Sequence, residues 1–298
     1  METDPAIDKD MLRQIRRVQL RTKYLVESLL SGAYRSAFKG QGMELAEVRA
    51  YQPGDEIRHI DWNVTARMGQ PFVKTFQEER ELTVMLLVDL SASSKFGSQE
   101  RSKQALMAEI GAVLAFSAAE NNDRIGLLLF TDQTEKYLPP KRGVPHAMRV
   151  VRDLLAFQPK GKGTDIRSAL SYLARIQRRR CTCFLLSDFI TDGYQHALRV
   201  AAKRYDLVAI RVRDPREIKL PRLGTLSLRD LETGEETVIN SSSSALQRLF
   251  SNRIKERADK QEHFLKKLGA GFIDISTKEP YEWALRRFFE QRRRVQSP

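Results

Sequence analysis

Apolar residues recur at spacings of three and four through Ile7, Met11, Ile15, Val18, Leu25 and Leu29, with Thr22 in the same stripe, and predict an amphipathic helix. The stripe lacks the large aromatics of a membrane-surface helix, so its expected surface is the protein's own body. Gly40, Gly42, Pro53, Gly54 and Gly69 then punctuate short segments, Leu45 to Tyr51 and Phe72 to Phe76, which predict strands and turns. From Leu82 the pattern changes. Leu82 to Leu90 is nearly unbroken apolar sequence, as expected of a strand buried on both faces of a parallel sheet. Helix-period and strand-like segments then alternate: a helix over Gln99 to Glu120, a strand over Ile125 to Phe130, helices over Val144 to Phe157 and Ile166 to Gln177. A strand over Cys181 to Leu186, a helix over Tyr194 to Arg204 and a strand over Leu207 to Val212 follow.

Pro215 to Asn240 interrupts this alternation with two short strand-like runs, Thr225 to Leu228 and Thr237 to Ile239, expected to pair with the earlier β segments. Ser241 to Ser244 offer an N-cap for a long helix marked by Leu246, Leu249, Phe250, Ile254, Phe264, Leu265 and Leu268. Phe272 to Ile275 predicts a further strand, and Pro280 the first residue of a last helix ending at Arg292 to Arg294. Strands alternating with helices of this length imply right-handed crossovers. The expected fold class is therefore α/β, a doubly wound, mostly parallel sheet with a small β-rich module and flanking helices. The expected organisation is an N-terminal helical segment at 1–39, the module at 40–80, completed by 221–240, and the α/β domain at 81–298.

At 298 residues and 41% apolar composition the chain buries a sizeable core. No run approaches the ~20 apolar residues of a membrane span, since the longest, 105–119, carries Glu109. The charged N-terminus lacks an apolar signal region, so the expected compartment is the cytoplasm. Cys181 and Cys183 stand two apart in an apolar run and read as reduced core thiols. The net charge of +13 is uneven: residues 136–180 hold 12 Lys and Arg against Asp153 and Asp165. That block attracts acidic partners, whether nucleic acid, anionic lipid or an acidic protein face, unless it is simply a solvated helical surface.

Ligands of an open parallel sheet bind at the carboxyl ends of its strands. The first buried strand ends in Asp89, Ser91 and Ser93, a carboxylate and two hydroxyls at alternate positions that share one side of an extended chain. Gly161-Lys162-Gly163-Thr164-Asp165 delivers a hydroxyl and a carboxylate just before a helix, and Ser187-Asp188 ends the next buried strand. Each has a plainer reading, as a helix cap or a turn bond. Together they point to a hard divalent cation, Mg²⁺ or Mn²⁺, held by oxygen alone. A site this rich in neutral hydroxyls keeps affinity for one more anionic oxygen, such as a partner's Asp or Glu.

Asp89, Ser91, Ser93, Thr164 and Asp188 resemble the metal-ion-dependent adhesion site of von Willebrand factor A domains. The preceding segment, with Gly42-Met43-Glu44, Val48-Arg49-Ala50-Tyr51, Pro53-Gly54-Asp55-Glu56, Arg58-His59-Ile60-Asp61-Trp62, Ala66-Arg67 and Glu78-Glu79, is similar to domain-of-unknown-function family fifty-eight, DUF58. The resemblance covers roughly residues 30–215. It implies a von Willebrand factor A-like fold, a non-catalytic binding role, and work with a MoxR-type AAA+ ATPase in assembling or activating a client complex. Two positions depart from the pattern: Ser94-Lys95 stands where relatives commonly place a methionine, bringing a cation near the site, and Ser187-Asp188-Phe189 replaces the commoner Thr-Asp-Gly. Arg49, Arg58, Asp61 and Arg67 are open to two readings, buried ion pairs that lock the module in place with Trp62 as anchor, or a partner-binding surface.

Two other function classes have weaker support. A Mg²⁺-dependent phosphoryl-transfer enzyme would need a second carboxylate where Ser91 stands, and the chain has neither G-x-x-x-x-G-K-[ST] nor G-x-G-x-x-G in the required context. Nucleic-acid binding is suggested by the basic block, yet the aromatics do not interleave with it as a base-stacking platform requires.

Overall fold

A computed structural model describes residues 34, 37, 38, 42–79, 82–98 and 101–296. The helix expected over residues 7–29 lies outside the described residues. Two compact units are present: residues 38–82, and residues 83–298 with Tyr34 and Ala37.

In the smaller unit β1 (Gly42–Ala50) pairs antiparallel with β2 (Phe72–Glu79), with a register shift between Leu45 and Glu47. A single 3-10 turn (Ile57–His59) and a helix, α1 (Trp62–Met68), lie between them. The helix was not among the strands and turns expected here. Asp61 starts it by accepting hydrogen bonds from the Asn63 and Val64 amides at 3.0 and 3.3 Å, and Gly69 ends it at φ +71°, a conformation that glycine adopts freely. Arg49, Arg58 and Asp61 are paired within this segment, while Arg67 is exposed. Arg49 makes a bidentate contact to Asp55 at 2.8 and 2.9 Å, Arg58 holds Glu56 at the surface, and Lys74 reaches Asp61 at 3.1 Å. Trp62 is 68% exposed.

The larger unit is built on a six-stranded sheet of β3 (Thr83–Asp89), β4 (Arg124–Phe130), β5 (Thr134–Lys141), β6 (Thr182–Ser187), β7 (Asp206–Arg213) and β10 (Gly271–Ser276). Their order is β10-β7-β6-β3-β4-β5, parallel except for β5, which runs antiparallel to β4 at the edge. This is the doubly wound, mostly parallel α/β class expected. The apolar strand runs are apolar because both faces are covered. Met85 and Leu87 point into a cluster with Ile166, Leu170 and Leu173 of α4 (Ile166–Ile176), Leu198 of α5 (Gln195–Arg204) and Leu265 of α7 (Ser244–Lys267). Val84, Leu86 and Val88 alternate to the other face, where α2 (Lys103–Glu120) lies buried around nearly its whole circumference. Gly111 allows Leu154 of α3 (Val144–Ala156) to approach α2 closely; a methyl group there would stand 2.8 Å from Leu154 Cδ1.

After β7 a short helix, α6 (Pro215–Ile218), leads to β8 (Thr225–Arg229) and β9 (Glu236–Asn240). These strands pair with each other as a separate hairpin, within the α/β unit. The expected pairing of 221–240 with the small module is thereby corrected: consecutive strands joined by the short loop 230–235 satisfy their own ladder. Pro280 immediately precedes α8 (Tyr281–Gln296) rather than forming its first residue.

Candidate functional site

The chain order reverses at β3, which has β4 on one side and β6 on the other, so a crevice opens between the carboxyl ends of β3 and β6. Asp89 is the last residue of β3 and is fully buried. Its Oδ1 accepts the Ser91 amide at 2.9 Å and its Oδ2 accepts the Ser187 hydroxyl, from the end of β6, at 2.6 Å. The Ser91 and Ser93 hydroxyls lie 3.1 Å apart. Asp89, Ser91 and Ser93 thus form one oxygen cluster, held in shape by the Ser94 hydroxyl donating to Ser91 O at 2.7 Å.

The Gly-rich loop meets this cluster through its backbone, the Ala92 amide donating to Lys162 O at 2.8 Å. Glu135 folds the loop by accepting the Lys160 and Gly161 amides at 3.1 and 2.7 Å. Residue 161 must be glycine, because a Cβ would fall 2.2 Å from Thr131 Oγ1 and 2.9 Å from Thr131 Cβ. Thr164 is carried to the crevice by this loop, but its hydroxyl donates to Glu232 Oε1, at the tip of the β8–β9 turn, at 2.8 Å. The Thr191 hydroxyl ties Thr164 O to the loop after β6 at 3.2 Å.

Asp188, the first residue beyond β6, accepts the Ile190 amide on Oδ1 at 3.0 Å and faces the Lys103 ammonium with Oδ2 at 2.6 Å. Lys103 is completely buried at the start of α2 and also contacts Glu217. Burial alone would lower its pKa, but the charges of Asp188 and Glu217 more than offset this and raise it, so the ammonium stays charged. Phe189 follows in the left-handed region at φ +57°, a conformation that glycine adopts more readily. Its ring is buried and packs edge-on against Tyr194, with centroids 5.9 Å apart.

The surroundings of Asp89 disfavour its charged form. Burial, followed by the charge of Asp188, pushes the Asp89 carboxyl up to about 7, with the hydrogen bonds from Ser187 and Ser91 pulling back. Positive charge is therefore short at Asp89 even though Lys103 serves Asp188. The oxygens facing this shortage, from Asp89, Ser91 and Ser93, are hard donors and fit a small divalent cation. Asp188 is close enough to act electrostatically, and Thr164 lies on a loop joined to the serines, with its hydrogen bond directed elsewhere.

The sequence reading missed four residues at this site: Lys103, Ser187 as a donor to Asp89, Glu217 and Glu232. A lysine at a helix start and a glutamate in a polar turn carry no local signal of convergence. The cation touching the site is Lys103, while Lys95, expected nearby, is exposed on the 3-10 turn Ala92–Lys95. Cys181 and Cys183 are buried free thiols, and burial pushes the Cys181 thiol up to about 12, so both are inert core residues. Among the described residues no helix is long and apolar enough to cross a membrane.

A family model, "Protein of unknown function DUF58", matches residues 47–261. An uncharacterized protein of Mycobacterium tuberculosis, Rv1480, is 30% identical over 290 residues, 96% of this chain and 91% of its own length. The chain belongs to the DUF58 family. Among solved structures, this DUF58 protein is similar to BatB from Bacteroides thetaiotaomicron, with 17% identity, a TM-score of 0.48, and coverage of 72% of this chain and 99% of that one. It is also similar to the SpRpn10 VWA domain, with 15% identity, a TM-score of 0.40, and coverage of 71% and 95%. For the DUF58 chain itself, the fold assignment rests on its own strand order.

Proposed function

We propose that this chain is a non-catalytic, Mg²⁺- or Mn²⁺-dependent protein-interaction adaptor of von Willebrand factor A type. Asp89, Ser91 and Ser93 hold the cation directly, with Thr164 and Asp188 completing the set. A bound cation supplies positive charge to the buried carboxylates and affinity for one further anionic oxygen. Ser187 orients Asp89, and Lys103 neutralises Asp188 so that the site stays short of full charge balance. The observation that carries this reading is the buried Asp89 carboxylate, which accepts the Ser91 amide from its own strand end and the Ser187 hydroxyl from the neighbouring one, at the switch point of the sheet.

The partner would present an Asp or Glu. The DUF58 resemblance supports a MoxR-type AAA+ ATPase as co-worker in assembly or activation of an acidic client, in the cytoplasm. The test is Mn²⁺ binding followed by electron paramagnetic resonance, with capture of a MoxR-type ATPase in Mg²⁺ and in EDTA. Asp89→Ala and Ser91→Ala are expected to lose both responses while keeping the circular dichroism of the parent. Capture undiminished in EDTA would overturn the reading.

A further inference from the structure

The β8–β9 turn is built to hold one carboxylate against the crevice. Asp230 shapes it by accepting the Glu232 and Thr233 amides at 2.8 and 3.0 Å, and the Gly234 amide closes the turn on Asp230 O at 2.9 Å. Of residues 230–235 only Glu232 is shielded from full exposure. Its Oε1 accepts the Thr164 hydroxyl at 2.8 Å. Its Oε2 lies beside Gly163, 3.8 Å from where a methyl group on that residue would stand. The base of the hairpin is fixed separately. Ser241 donates its hydroxyl to Gly224 O at 2.8 Å and accepts the Leu223 amide at 3.0 Å, with Gly224 at φ +75°. The tip of an exposed two-stranded arm therefore meets the Gly-rich loop through an acidic side chain that accepts the hydroxyl of Thr164, one of the proposed metal ligands.

We infer that the site takes a carboxylate borne on a β-turn, and that Glu232 fills this place in cis, so that a partner's acidic turn must displace it. This rests on the proposed metal centre and adds the form of its ligand and an internal competitor. Thr164 is the shared element: its single hydroxyl proton goes to Glu232 and is available to an incoming carboxylate only after the hairpin withdraws.

The test uses the full chain and, as probe, a synthetic peptide copying residues 225–240, with a second peptide carrying Glu232→Gln. Peptide binding is followed by fluorescence anisotropy in Mg²⁺ and in EDTA, and metal binding separately by Mn²⁺ resonance. If the tip is in place about nine-tenths of the time, removing it raises apparent affinity for the peptide about tenfold. Glu232→Ala and Glu232→Gln chains are thus expected to bind the parent peptide about tenfold more tightly than the unaltered chain, in Mg²⁺ only. Glu236→Ala, on the same hairpin, should change nothing, and the Glu232→Gln peptide should not bind. Amide exchange over 225–240 should quicken in Glu232→Ala and not in Glu236→Ala. Equal peptide affinity for parent and Glu232→Ala chains, or no binding to either while Mn²⁺ is retained, overturns the internal competitor and leaves the metal centre standing. Loss of Mn²⁺ binding by the parent chain itself would remove the metal centre and this inference together.

Discussion

Lys103 Nζ lies 2.6 Å from Asp188 Oδ2 with both side chains buried, so a fixed cation already belongs to the crevice. A buried charge that loses its partner costs about 3–5 kcal/mol. Lys103→Met is expected to destabilise the metal-free chain by about that amount, because Asp188 and Glu217 are left without their counter-ion. Mg²⁺ should recover part of the loss, giving a larger rise in urea midpoint than in the unaltered protein. An unchanged midpoint in EDTA would show that the pair is not formed.

The contrast between Lys103 and Asp188 shows which features of the site the sequence makes legible. Asp89 and Asp188 are the first charged residues after apolar runs, and a run apolar on both faces is enough to place its end at the rim of a parallel sheet. Lys103 follows no such rule, since only the tertiary fold turns the start of α2 toward β6. Strand β5 escaped for a related reason: it carries Lys136, Pro139, Pro140 and Lys141, and an antiparallel edge strand tolerates proline and needs no second apolar face.

Phe189 gives a test of backbone strain. Its left-handed φ of +57° costs a non-glycine residue about 1–3 kcal/mol, while its buried ring contributes more than that. Both Phe189→Ala and Phe189→Gly are expected to destabilise. Glycine should be the milder by about 1 kcal/mol, the reverse of the usual ranking, because only alanine keeps the strain after losing the ring. Chemical denaturation of the two variants side by side decides it.

Asp214 sets a pH dependence. Burial alone would raise its pKa, but hydrogen bonds from the Ser98 hydroxyl at 2.5 Å and amide at 2.8 Å, the Arg216 amide at 2.9 Å and the Thr277 hydroxyl at 3.1 Å more than offset this and hold it below the ordinary carboxylate value. A lowered folded-state pKa adds stability that is present above the unfolded value near 4 and disappears as pH falls through the folded one. Asp214→Asn should therefore cost about 1.5–3 kcal/mol at pH 7, the range for hydrogen bonds to a charged group, and converge with the parent in strong acid. A difference that persists unchanged to pH 2 would assign the loss to packing.

Asp89→Asn separates the fold's requirement from the site's. At neutral pH the Asp89 charge is opposed by burial and by Asp188, so its removal relieves the metal-free chain. The amide keeps the acceptor for the Ser91 N–H at Oδ1, and its Nδ2 has the Ser187 hydroxyl oxygen within reach in place of the present bond. Thermal unfolding in EDTA is expected to show Asp89→Asn at least as stable as the parent. Mg²⁺ at 100 times its dissociation constant should raise the parent by about 2.7 kcal/mol and leave the variant unmoved. Equal Mg²⁺ responses would place the cation, if any, away from Asp89, whereas a large loss of stability in EDTA would make the carboxylate a structural hydrogen-bond hub. The two results differ in sign and are read from the same melting curves.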